Sequence, residues 1–284
     1  MRRRAVASWG YGPGVPTDLD FLAHLRRESD RFAEALRDAP SDARVPTCPD
    51  WDADDLLWHL AGVQQFWGEV VRRGVTAKAE ADKLEVSDDD RPASRAGLED
   101  FYRTSSDALS QVLTDNDPST AAWTWSNEQS VGFIRRRQAH EALVHRLDAE
   151  LTAGNRTAMD PALCADGVDE VLKVMYGGDP PWGTKTLDES RTIRVQTTET
   201  GDSWLVTLAR FSGTDPDDGG TYDDEPDIQV ADTDLGGAAQ ATISGTAEDL
   251  DCWLWKRPPL TEPERDGDLS VLEAFQSTIS GGIN

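Results

Sequence analysis

The sequence predicts a mixed fold, an N-terminal all-α four-helix bundle followed by a small α+β domain. Two observations predict it. Up to about residue 155 the apolar residues recur at helical spacing, whereas beyond about residue 190 they alternate as strands do. The 284 residues also exceed one average domain of ~150 residues, so the change of period divides the chain into two units of ordinary size. We expect a loose extension over 1–15, where Gly10, Gly12, Pro13 and Gly14 crowd together, then the bundle over 16–156 and the α+β domain over 157–284.

The first helix is expected from about Asp18 to Asp38, with Leu22, Leu25, Phe32 and Leu36 on its apolar stripe. Pro46-Thr47-Cys48-Pro49-Asp50-Trp51 reads as a turn. Asp52 then caps a second helix running to about Arg73, and Asp54 and Asp55 sit in its first turn, where carboxylates favour the helix dipole. Its stripe is Leu56, His59, Leu60, Val63, Phe66, Trp67 and Val70, which turns His59 inward. Lys78 to Arg95 reads as an exposed loop. Helices three and four are expected over Arg95–Thr114 and Val131–Leu151, the latter stopped by Gly154 and Asn155. Four such helices pack naturally as an antiparallel bundle.

In the second half a helix is expected over Ala162–Met175. Strands follow at Thr192–Thr198, Ser203–Phe211, Asp227–Ala231 and Ala241–Ser244. The acidic, glycine-marked stretch Gly213–Pro226 reads as a solvated loop. Thr246 and Asp249 resemble a cap before Leu250–Trp255, and a last helix covers Leu269–Thr278.

Composition narrows the function. A hydrophobic content of 38% with ten Trp is enough for a real core. The net charge of -25, from 53 acidic and 28 basic residues, argues against nucleic acid and anionic membrane surfaces as partners, because each phosphate contact needs a cation. Cys48, Cys164 and Cys252 are odd in number and far apart, which indicates neither a disulfide framework nor a thiolate zinc site and suits a reducing cytoplasm. Met1-Arg2-Arg3-Arg4 lacks the apolar core of a signal peptide, and no stretch approaches about 18 apolar residues. A cytoplasmic location is expected.

The chemistry is concentrated in Arg135–Asp148. Glu141 and His145 are four apart, one above the other on a single helical face, a spacing at which carboxylate and imidazole can close on one metal. His59, inward on the second helix, can supply a third ligand across the bundle. Two His and one Glu match a catalytic zinc set that keeps a fourth position open, and nickel or iron would use the same side chains. Spacing alone leaves other readings open: Glu-x-x-x-His is often a surface pair, and a single inward His is often a satisfied core residue. His140 and His24 read as structural or exposed.

Three separated motifs carry a resemblance over nearly the whole chain. These are Pro49-x-Trp51 with Asp55-Leu56-Leu57-x-His59-Leu60; Arg136-Arg137-x-Ala139-His140-Glu141-x-x-Val144-His145-Arg146-x-Asp148; and Gly245-Thr246-Ala247-x-Asp249-Leu250-x-x-Trp253-Leu254-Trp255-x-Arg257. Together they are similar to the mycothiol-dependent maleylpyruvate isomerase family, within the DinB-like metal-binding bundles, whose second domain resembles sterol-carrier domains. The resemblance implies metal ligands at His59, Glu141 and His145. It also implies mycothiol, the small thiol of actinobacteria, as cofactor and a small electrophile as substrate. A C-terminal arginine matters in that family, and Arg257 is its candidate here, although Lys256 stands where the family often has Gly. In such an isomerase the thiolate adds to a double bond, the resulting single bond rotates, and elimination releases the other isomer. An anionic substrate needs a cation, for which Arg257 and Arg137 are candidates; Arg146 is a candidate to tie its helix to the second domain.

The residues permit two further classes. One is a metal-stabilised binding module for a small hydrophobic ligand, with Trp253-Leu254-Trp255 lining a pocket or, more simply, packing a helix. The other is a hydrolase that activates water on zinc. Thiol-dependent turnover separates the isomerase or transferase reading from both.

Overall fold

The computed structural model describes residues 19–232 and 236–281, so the extension expected over 1–15 lies outside the described residues. Two compact units are present: one formed by Leu19–Thr124 and Gln129–Ala158, the other by Trp125–Glu128 and the chain from Met159 onward.

The first unit is helical. Helix α1 (Phe21–Leu36) starts where the Asp20 carboxylate accepts from Ala23 N. Helix α2 (Ala53–Arg72) opens with a capping box in which Asp52 and Asp55 each accept the other's backbone N–H, at 2.9 and 3.0 Å. Before it, the turn closes through Trp51 N to Cys48 O and Val45 N to Trp51 O, which sets Trp51 at the head of α2. Helices α4 (Arg95–Asp115) and α5 (Val131–Thr152) begin at Ser94 and Ser130, whose hydroxyls accept from the third helical N–H. Helix α1 packs along α5, and α2 along α4; the seam between α2 and α5 is thinner. Phe32, Leu36, Val45, Leu56, Leu57 and Leu60 form the core with Leu98 and Tyr102.

One expectation changes here. The segment expected as an exposed loop between Lys78 and Arg95 contains a one-turn helix, α3 (Lys78–Ala81), and 3-10 turns at Asp82–Leu84 and Asp88–Asp90. Ala81 is fully buried and anchors it. Arg146 is fully buried within the first unit. Its guanidinium lies inside the bundle, donating to Glu28 of α1 and to Glu150, both at 2.9 Å. Charge pairing within the bundle is what a fully buried arginine requires.

The second unit joins helices to a five-stranded sheet of order β3-β2-β1-β4-β5. Helix α6 (Pro161–Glu170) starts under the Asp160 cap and widens into a π-helical turn, Val171–Tyr176. The strands are β1 (Gly183–Thr197), β2 (Ser203–Thr214), β3 (Thr221–Val230), β4 (Ala241–Gly245) and β5 (Glu264–Gly267). Strand β1 pairs antiparallel with β2 and parallel with β4. Helices α7 (Ala247–Leu254) and α8 (Leu269–Thr278) are capped by Thr246 and Asp268. Ile193, Val195, Val206, Ile243 and Phe275 are buried.

The stretch expected as a solvated loop, Gly213–Pro226, is mostly paired. Gly213 stands opposite Tyr222 and Thr214 opposite Thr221, which leaves Asp215–Gly220 as the turn. Acidic residues occupy the exposed outer part of β3, so backbone pairing rather than apolar alternation makes the strand. The fully exposed β5 escaped notice for the same reason. Among the described residues no helix is long and apolar enough to cross a membrane, and Cys48, Cys164 and Cys252 are joined in no disulfide.

Candidate metal centre

The capping box of α2 and the closed turn before it set the rotation of that helix, and His59 emerges on its α5 side. Opposite, Glu141 and His145 stand one turn apart on α5. His145 Nε2 lies 3.3 Å and His59 Nε2 3.6 Å from the same oxygen, Glu141 Oε1. All three potential ligand atoms fall within 4.8 Å of one another. A tetrahedral ion with bonds of ~2.0–2.1 Å separates its ligand atoms by roughly 3.3–3.4 Å, so the donor set fits such an ion with little movement. The cluster is not sealed: the side chains of His59, Glu141 and His145 are 32%, 19% and 9% exposed.

Each donor is held from behind. The outer oxygen of Glu141, Oε2, accepts from Arg137 Nη2 at 2.7 Å, which leaves Oε1 to the cluster. The other ring nitrogen of His145, Nδ1, lies 3.0 Å from Asp148 Oδ2, and Asp148 Oδ1 accepts from Thr47 at 2.6 Å. That carboxylate puts the proton on Nδ1 and turns Nε2 toward Glu141. The Trp51 ring covers His59 with centroids 4.7 Å apart.

The electrostatics follow from these contacts. Burial disfavours a charged His145, but the Asp148 and Glu141 carboxylates outweigh it and raise its pKa to about 9. Burial also works against ionised Glu141; the two histidines and the Arg137 charge overcome it and hold its carboxyl well below the usual range. His59 is lowered, by burial and then by the neighbouring His145, despite Glu141.

Of the residues singled out from sequence, His59, Glu141 and His145 are thus brought together, and Arg137 joins them through Glu141. His140 is buried edge-on to Phe21, and His24 is buried with Nδ1 2.6 Å from Arg27 Nη2. Arg257 belongs to the second unit, where it is buried just past α7 with Nη1 donating to Trp255 O at 2.8 Å. Trp253 packs against Phe275, as a helix-packing tryptophan does. Sequence reasoning gave no role to Asp148 or Thr47. Asp148 carried a signal, three residues past His145 on the same face; Thr47 carried none.

Fold and site define a helical bundle with a His–Glu–His cluster, followed in the chain by an α+β domain. The model for the mycothiol maleylpyruvate isomerase N-terminal domain matches residues 22–150, and that for the MDMPI C-terminal domain matches residues 162–274. The chain belongs to the mycothiol-dependent maleylpyruvate isomerase family. Among solved structures it is similar to a histidine-to-alanine mutant of the mycothiol-dependent maleylpyruvate isomerase, at 11% identity and a TM-score of 0.53. It is also similar to that isomerase without the mutation, at 9% and 0.52. Each match covers 88% of this chain and 93% of the other, and at these identities the likeness is one of fold. No curated protein matches the chain.

Proposed function

We propose that this protein is a metal-dependent enzyme that uses mycothiol to isomerise or transfer to a small electrophile, with His59, Glu141 and His145 as metal ligands and zinc as the preferred ion. The observation that carries the proposal is the convergence of Nε2, Oε1 and Nε2 at ion-sized spacing, with Asp148 behind His145. A divalent ion bound there supplies the Lewis acidity that keeps a small thiol deprotonated at neutral pH.

The chain's own groups do the rest. Arg137 holds the Glu141 carboxylate in one orientation, and Asp148 keeps the Nε2 lone pair of His145 pointed at the cluster. Trp51 shields one side of His59 from water. Only three protein donors converge among the described residues, which suits an ion that keeps a position for an exogenous ligand. Arg257, matched to the family's C-terminal motif, is the candidate cation for an anionic substrate in a chain of net charge -25.

The test is metal content by elemental analysis of the wild type, His59→Ala and Glu141→Ala. The expected result is about one ion per chain, lost in both variants, and thiol-dependent turnover of an electrophile by the wild type. A wild type that stays metal-free after zinc reconstitution overturns the proposal. Turnover that ignores mycothiol would move the site to hydrolysis by water.

A further inference from the structure

Helix α5 carries one more polar side chain on the cluster's face. Gln138 lies three residues before Glu141 and seven before His145, and at 100° per residue it falls within about 20° of His145 around the helix. Its Cβ is therefore about 5–6 Å from that of Glu141.

Gln138 is 1% exposed, and among the described residues nothing donates to its Oε1. A buried amide oxygen left without a donor is costly, so a chain that keeps one has a use for it or satisfies it with something else. Arg137 is paired with Glu141, His145 with Asp148 and Arg146 with Glu28 and Glu150, although Arg146 Nη2 finds no partner among the described residues either. Gln138 differs from Arg146 in its position, which by helical spacing is on the same side of α5 as Glu141 and His145.

We propose that Gln138 recognises the ligand: its carboxamide hydrogen-bonds an amide or hydroxyl group of the small thiol, one helical turn from where the sulfur meets the cluster. This rests on the thiol-dependent reading above. A neutral carboxamide is chemically suited to the task, since it offers both a donor and an acceptor and adds no charge to the ligand shell.

The test uses the full-length, zinc-loaded protein and calorimetry. Wild type and Gln138→Met are titrated with mycothiol and, separately, with ethanethiol, which has a sulfur and no other polar group. Gln138→Met keeps the volume and removes the unsatisfied oxygen, so its zinc content and Tm are expected to match or exceed those of the wild type. Mycothiol binding is expected to weaken about tenfold, while ethanethiol binds both proteins alike. KM for mycothiol should rise with kcat unchanged. Gln138→Asn, which withdraws the amide by one methylene, should weaken mycothiol in the same sense. Equal mycothiol affinity in wild type and Gln138→Met overturns this inference and leaves the thiol-dependent reading standing. Loss of zinc, of ethanethiol binding or of the fold in both variants assigns Gln138 a structural role and also overturns it. A zinc-loaded wild type that binds no mycothiol defeats the reading itself, and the inference with it.

Discussion

Asp148→Asn is the most informative single change in this site, because it alters a charge and a proton position while keeping volume. Asp148 is fully buried between His145 Nδ1 at 3.0 Å and the Thr47 hydroxyl at 2.6 Å. Asparagine can keep the Thr47 contact through its carbonyl oxygen, but its NH2 then faces Nδ1. That arrangement requires the imidazole proton on Nε2, the atom that must present a lone pair to the ion. The cost is one charge-assisted hydrogen bond, about 1.5–3 kcal/mol. At 1.4 kcal/mol per decade, zinc affinity should fall roughly ten- to a hundredfold, the range typical of outer-shell partners. The assay is competition against a chromophoric chelator, alongside the Tm of the metal-free proteins. A correctly folded Asp148→Asn protein that binds zinc within about threefold of wild type would refute the claim that Asp148 sets the tautomer of His145.

Three further outcomes concern the scaffold. Arg146→Met leaves Glu28 and Glu150 buried without their shared guanidinium and should cost about 3–5 kcal/mol, read as a lower urea midpoint; an unchanged midpoint would show the triad carries no stability. Asp52→Ala removes the α2 capping box and should cost about 1 kcal/mol in the same assay, with a loss below a few tenths counting against the cap. Gly183→Ala would drive a Cβ to 2.1 Å from the Phe211 ring, so about 1–3 kcal/mol of overpacking is expected, relieved when Phe211→Ala is added; a neutral single variant would contradict the packing.

The helices were legible because their apolar stripes, aspartate and serine caps and stop signals agree with one another. The Asp52 cap, the inward turn of His59 and the Leu269–Thr278 helix all follow from local rules. The strands were less so. The outer halves of β1 and β3 expose both faces, so Asp223, Asp224 and Glu225 sit in a strand that shows no alternation. The same split runs through the site. Glu141, His145 and Asp148 share a helical face and can be read from spacing, whereas Thr47 meets Asp148 across a hundred-residue separation that no local pattern records.

Helix α5 explains why its own stripe is the hardest to see. Arg137, Gln138, His140, His145, Arg146, Asp148 and Glu150 are all buried on it, so polar residues interrupt the apolar pattern from the second turn onward. They divide by direction. Arg146 and Glu150 join Glu28 on α1, whereas Glu141 and His145 converge on His59 of α2, with Asp148 behind His145. The division predicts a crossed result. Glu141→Ala should abolish metal binding with little loss of fold, because the tight α1–α5 contact is untouched. Arg146→Met should lower stability while any folded protein keeps its metal. If Glu141→Ala instead unfolds the bundle, or if folded Arg146→Met is metal-free, the two polar sets act as one and the separation of scaffold from site on α5 is wrong.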